Sequence, residues 1–124
     1  MVHVGLFVAG LVFIAIHGLL LYEGLERPFW SGGGSQRLLD GWSFTHFGHG
    51  IVFYAIFRGL GAPSVVSIAL SLALEMLWEW MENGPGVTWF QWWHEDGYCG
   101  DSVVNSCMDV AVCWFGAWLT SWFV

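Results

Sequence analysis

Apolar residues run along this chain in long, nearly unbroken stretches, without the short polar alternations of a water-facing fold. A helix needs about 20 mainly apolar residues to cross the hydrocarbon core of a bilayer. Four segments qualify: Val4 to Tyr22, Trp42 to Leu60, Pro63 to Asn83 and Asp101 to Val124. Pro63 falls in a first helical turn, where its missing N–H breaks no bond. Asp101 followed by Ser102 predicts the start of the fourth segment, because a carboxylate there meets free N–H groups and the positive end of the helix dipole. The pattern predicts an all-α, single-domain chain over residues 1–124, folded as a four-helix transmembrane bundle.

The connections differ in character. Residues 23–41 include Ser31-Gly32-Gly33-Gly34-Ser35, which has no side chains for packing. The turn around Gly61 and Ala62 is short and predicts a tight antiparallel hairpin. The third connection, residues 84–100, carries Trp89, Phe90, Trp92 and Trp93 ahead of His94-Glu95-Asp96. Tryptophan favours the membrane–water interface, so this loop is expected to lie on the headgroup layer.

Composition strengthens the membrane reading. The chain is 56% hydrophobic and 10% charged, against about 25% charged for an average soluble domain. It has no lysine, and its arginines are Arg27, Arg37 and Arg58. The net charge of −7 excludes nucleic acid as a partner, since phosphate contacts need a basic patch. The first apolar run has no Lys or Arg ahead of it and ends in Leu19-Leu20-Leu21-Tyr22-Glu23. It therefore reads as a retained membrane helix and not a cleaved signal peptide. Arg27 and Arg37 slightly favour a cytoplasmic side for the first and third connections. Cys107 and Cys113 read as small packing residues, and with Cys99 they make no disulfide or metal framework.

The ionisable residues inside these segments carry the candidate chemistry. His46 and His49 lie on the second segment, Glu75, Glu79 and Glu82 on the third, and Asp101, Asn105 and Asp109 on the fourth; His17 is on the first. Within each set the spacing is three or four, which gathers the side chains on one helix face. The chain reverses direction at each crossing. At about 1.5 Å per residue, His46, Glu79 and Asn105 fall roughly 6 Å below one boundary, and His49, Glu75 and Asp109 roughly 10–12 Å below it. His17 reaches about 8 Å, while Glu82 and Asp101 sit at the rim.

An Asp at a helix centre costs about 2.5–3.5 kcal/mol on insertion scales, so such a group needs compensation. Either protons or a metal ion can supply the missing positive charge. Imidazole with carboxylate suits zinc, manganese or iron, and helical bundles hold such sites in their cores. The expected ligands are His46, His49, Glu75, Glu79 and Asp109, with Glu82, Asp101, Asn105 and His17 as supporting or rim groups. A purely structural hydrogen-bond network and a proton or ion path stay open beside the metal reading. Gly48-His49-Gly50 also leaves room for a haem or chlorin on His49, and His17 is a second such position. The Trp114, Trp118, Trp122 stripe reads as a packing or lipid-facing surface, and Trp78 and Trp80 flank Glu79 as walls or membrane anchors.

Three motifs together resemble a known family. They are Asp40-Gly41-Trp42-Ser43-Phe44-Thr45-His46-Phe47-Gly48-His49-Gly50 with Phe53-Tyr54, Glu75-Met76-Leu77-Trp78-Glu79-Trp80-Met81-Glu82-Asn83, and Gly97-Tyr98-Cys99-Gly100-Asp101 running through Ser102-Val103-Val104-Asn105-Ser106-Cys107-Met108-Asp109. In order and content the set resembles an uncharacterised family of small bacterial inner-membrane proteins, known as a domain of unknown function. More loosely it resembles the VanZ-like membrane proteins, which share a Glu on one helix and an Asp-x-x-x-Asn opening the next. The resemblance implies a multi-pass protein of the bacterial inner membrane and supplies no reaction. The third connection, Phe90 to Asp96, departs from the family pattern. Two roles follow as expectations. One is an intramembrane metal site acting on a lipid or lipid-linked substrate. The other is an accessory subunit of a larger photosynthetic or respiratory membrane complex.

Overall fold

The computed structural model describes residues 5, 8, 10–16, 18, 37–83 and 100–124. His17, Cys99, residues 23–36 of the first connection and residues 84–99 of the third lie outside the described residues. All regular structure among the described residues is helical: α1 over residues 10–16, α2 over Ser43–Gly59, α3 over Ser64–Asn83 and α4 over Val103–Thr120.

Local chemistry sets the helix ends. Before α2, the Asp40 carboxylate accepts the Trp42 N–H at 2.8 Å, and the Ser43 hydroxyl accepts the Asp40 N–H at 3.1 Å. After α2, Gly61 adopts φ +90°, a left-handed conformation that glycine alone enters without strain. The Gly61 and Ala62 N–H groups then return to the carbonyls of Arg58 and Phe57, each at 3.0 Å. This is the Schellman closure, which satisfies the last carbonyls of a helix. Arg58 reinforces the turn by donating from Nη1 to the Ala62 carbonyl at 2.7 Å. The cap of α4 is Ser102, whose hydroxyl accepts the Asn105 N–H at 3.2 Å. Asp101, expected to open that helix, instead donates its backbone N–H to the Asn83 side chain at 2.6 Å.

Burial is inverted relative to a soluble fold. On α3 the residues Ser67, Ser71, Glu75, Glu79 and Asn83, spaced by four, are all buried. Val66, Leu70, Leu74 and Leu77 on the same helix are exposed. On α2 the buried positions are Ser43, His46, Gly50 and Tyr54, while Phe44, Val52 and Ile56 face outward. In water such a helix would bury its apolar stripe. An exterior of leucine and valine over a partly polar interior suits a lipid-facing surface. By length and composition α3 and α4 can each cross a membrane. With 17 residues, α2 sits at the short limit for a span.

Close backbone approach joins α2 to α4. A Cβ on Gly50 would collide with the carbonyl of Cys113 and the amide of Ala117, and one on Gly116 would collide with the Phe47 carbonyl. Small residues at such crossings let membrane helices pack by van der Waals contact, where lipid offers no hydrophobic driving force. Residues of α1 meet α4 in the same manner: a Cβ on Gly10 would strike the Trp114 indole. An apolar core of Tyr54, Ile68, Leu72, Val110 and Ala117 fills the end of the bundle near the α2–α3 hairpin.

Candidate functional site

At the other end of the bundle the start of α2, the end of α3 and the start of α4 converge, as their alternating directions require. There the structure brings His46, His49, Glu75, Glu79 and Asp109 together. Glu75 is fully buried, and Glu79, Asp109 and His46 are exposed by only 1%, 3% and 6%.

Glu75 organises both imidazoles. Its Oε1 meets His46 Nδ1, and its Oε2 meets His49 Nδ1 at 3.0 Å. A carboxylate only accepts, so each imidazole donates from Nδ1 and, in its neutral form, presents Nε2 as a lone pair. The two lone pairs point differently. His46 Nε2 faces inward, 3.7 Å from Asp109 Oδ2. His49 lies on the outer side of the cluster, with 27% of its side chain exposed. Glu79 Oε1 lies 3.4 Å from His46 Nδ1.

The remaining carboxylate oxygens are held by hydroxyl and amide donors. Ser43 donates to Asp109 Oδ1 at 3.0 Å. Ser106 and the Asn83 amide donate to Glu79 Oε2 at 2.5 and 2.8 Å. Each of these two carboxylates therefore has one oxygen fixed by protein donors and the other turned toward His46. One ligand atom from each of His46, Glu79 and Asp109 lies within 4.8 Å of the others, and the same holds for His46, His49 and Glu75. Two atoms bound to one ion, each about 2.0–2.2 Å from it, sit roughly 3–4 Å apart. The His46 Nε2–Asp109 Oδ2 separation falls in that range, too long for a good hydrogen bond and suited to co-ligands, whereas Glu79 Oε1 lies beside Nδ1, the nitrogen that faces Glu75.

The supporting residues fall less evenly. Asn105 is fully buried, but its amide turns away from the cluster to the Arg37 carbonyl at 2.9 Å and Asp40 Oδ2 at 3.5 Å. Depth along the helix groups it with His46 and Glu79, yet the residue that reaches Glu79 from α4 is its neighbour Ser106. Asn105 Oδ1 is buried with no partner among the described residues. Glu82 and Asp101 are partly buried at the rim. His17 lies outside the described residues.

Ser43, Asn83 and Ser106 are site residues that the ionisable pattern misses. Each stands three or four positions from a cluster residue on its own helix, and that spacing is the signal that could have found them. Trp78 places its ring edge-on to His49 at 6.0 Å, and both Trp78 and Trp80 are exposed. Along the Trp114, Trp118, Trp122 stripe, Trp114 stacks on Trp118 with centroids 6.2 Å apart, and Trp118 meets Trp122 edge-on at 5.7 Å. Cys113 is buried and Cys107 partly buried, both as free thiols.

The family profile described as "Protein of unknown function (DUF2585)" matches residues 6–124. The chain belongs to that family. It is also similar to bacterial proteins described as "UPF0314 protein". The one from Rhizobium meliloti is 36% identical over 93 residues, covering 72% of this chain and 46% of that protein. The one from Sphingopyxis alaskensis is 35% identical over 79 residues, covering 60% of this chain and 42% of that protein. The DUF2585 chain thus spans less than half the length of these relatives. No solved structure matches it.

Proposed function

We propose that this DUF2585 protein crosses the bacterial inner membrane several times and binds a divalent metal ion among α2, α3 and α4. Direct ligands in this reading are His46 through Nε2, Glu79 and Asp109. Glu75 serves as the carboxylate that orients His46, an arrangement common behind metal-bound histidines. The ligand set suits zinc, manganese or iron. The observation that carries the reading is the buried meeting of His46, Glu79 and Asp109, each from a different helix, with one ligand atom of each within 4.8 Å of the others. Three buried carboxylates with no lysine anywhere in the chain make a cation the natural counter-charge. An ion there would polarise a bound oxygen or activate water. The site's place in the membrane makes a lipid or lipid-linked molecule its substrate, and the loose likeness to VanZ-like proteins belongs to the same reading.

Elemental analysis of the purified full chain tests this directly. Near-stoichiometric metal in the wild type, lost in Asp109→Ala and Glu79→Ala, is the expected result. A wild type free of metal after supply of zinc, manganese and iron rules the ion out.

A second reading, a proton path, draws on the string from His49 through Glu75 and His46 to Asp109. It requires proton flux in liposomes that Glu75→Gln abolishes.

A further inference from the structure

His49 belongs to the cluster through Nδ1 but opens outward through the rest of its ring. Glu75, which holds it, is fully buried, and the His46 side chain is 7% exposed against 27% for His49. The imidazole is stacked on Phe53, with centroids 5.2 Å apart and planes at 21°, and stands edge-on to Trp78 of α3. The opening therefore lies between α2 and α3 and is framed by aromatic rings. Thr45, Val52 and Ile56, at the i−4, i+3 and i+7 positions of the same face, are exposed. His49 stands six residues into α2, about 9 Å along its axis from Ser43. A molecule reaching it from this side arrives through the apolar surface and not from the polar end of the bundle.

Three properties of such a molecule follow. It dissolves in the apolar phase, because apolar side chains surround the opening. Its polar head donates a hydrogen bond, because in the neutral imidazole Nδ1 donates to Glu75 and leaves Nε2 an acceptor, with no partner among the described residues. The head is neutral, because Glu75, Glu79 and Asp109 stand behind the imidazole and the chain has no lysine to receive an anion. The rings of Phe53 and Trp78 favour a flat head group.

We propose that His49 receives a neutral, ring-bearing hydroxyl lipid that enters laterally from the bilayer between α2 and α3 and donates its O–H to His49 Nε2. The inference rests on the membrane-embedded reading of the site and deepens it by naming a substrate class; it does not require the ion.

The test uses the full chain in lipid nanodiscs, with 4-decylphenol as probe and empty nanodiscs to subtract partitioning. Saturable binding is expected in the wild type, weakened about tenfold or more in His49→Phe and partly restored in His49→Gln. Trp78→Leu should weaken it as well while keeping the cluster intact. The methyl ether 4-decylanisole, which has no donor, and the anionic decyl phosphate should not compete. Metal content is measured on the same samples. Absence of saturable binding in the wild type overturns the proposal. So does equal binding in wild type, His49→Phe and Trp78→Leu, or competition by the ether or the phosphate at the same concentration as the phenol. A wild type without metal that still binds the phenol through His49 removes the ion and leaves this site standing.

Discussion

The two ends of this bundle are built on opposite principles. Near the α2–α3 hairpin the core is Tyr54, Ile68, Leu72, Val110 and Ala117, held by shape. At the other end the same three helices bury His46, Glu75, Glu79 and Asp109, held by directional bonds from Ser43, Asn83 and Ser106. Every one of these helices carries both halves along one face. On α3 the buried stripe passes from Ser67 and Ser71 to Glu75, Glu79 and Asn83 without leaving its face. The apolar end can be loosened by small increments. The polar end is all-or-none, because each donor or acceptor left alone in low dielectric loses its full solvation.

The largest effect is expected where the two halves are tied together. Gly50→Leu would drive a side chain into the backbone of α4 at Cys113 and Ala117, beyond what side-chain repacking absorbs. No monodisperse folded protein should be recovered in detergent by size-exclusion chromatography. A well-folded Gly50→Leu protein would show that the α2–α4 contact is not tight.

Next comes the polar end alone. Asp109→Ala should lower bound metal by at least about tenfold, leaving helical circular dichroism in place. Retention of metal at the wild-type level would separate Asp109 from the ion. Ser106→Ala, which removes a donor to Glu79, should weaken metal binding by about tenfold, in keeping with other partners of ligating carboxylates.

At the apolar end, Leu72→Ala should lower stability by about 2–4 kcal/mol through the cavity it leaves, with metal content unchanged. Thermal unfolding followed by circular dichroism reads the first effect and elemental analysis the second. Loss of metal in this variant would mean that the two ends are coupled. The smallest change is expected from Tyr54→Phe, which removes a hydroxyl paired with Ser64 at 2.9 Å. About 1 kcal/mol of stability should go, with the metal untouched.

Much of the polar end is legible in the amino-acid sequence. His46 and His49, Glu75 and Glu79, and Asp109 are readable because a helix converts spacings of three and four into a common face, and reversal of direction converts position into depth. Asn105 shows the limit of depth arithmetic. Level along the axis says nothing about rotation around it, and the turn of about 100° between Asn105 and Ser106 decides which one reaches Glu79. The cap at Ser102 in place of Asp101 is out of reach for a similar reason: adjacent residues offer equally suitable oxygens, and backbone geometry chooses between them.

The amino-acid order alone determined that the helices are long and apolar and that acids and imidazoles share faces, because both properties follow from periodicity along one chain. Only tertiary structure decided that Glu75 grips both histidines, that His46 turns inward while His49 turns outward, and that Gly50 and Gly116 bring two backbones together. Those outcomes depend on the rotation and separation of helices remote in sequence, which no local pattern encodes.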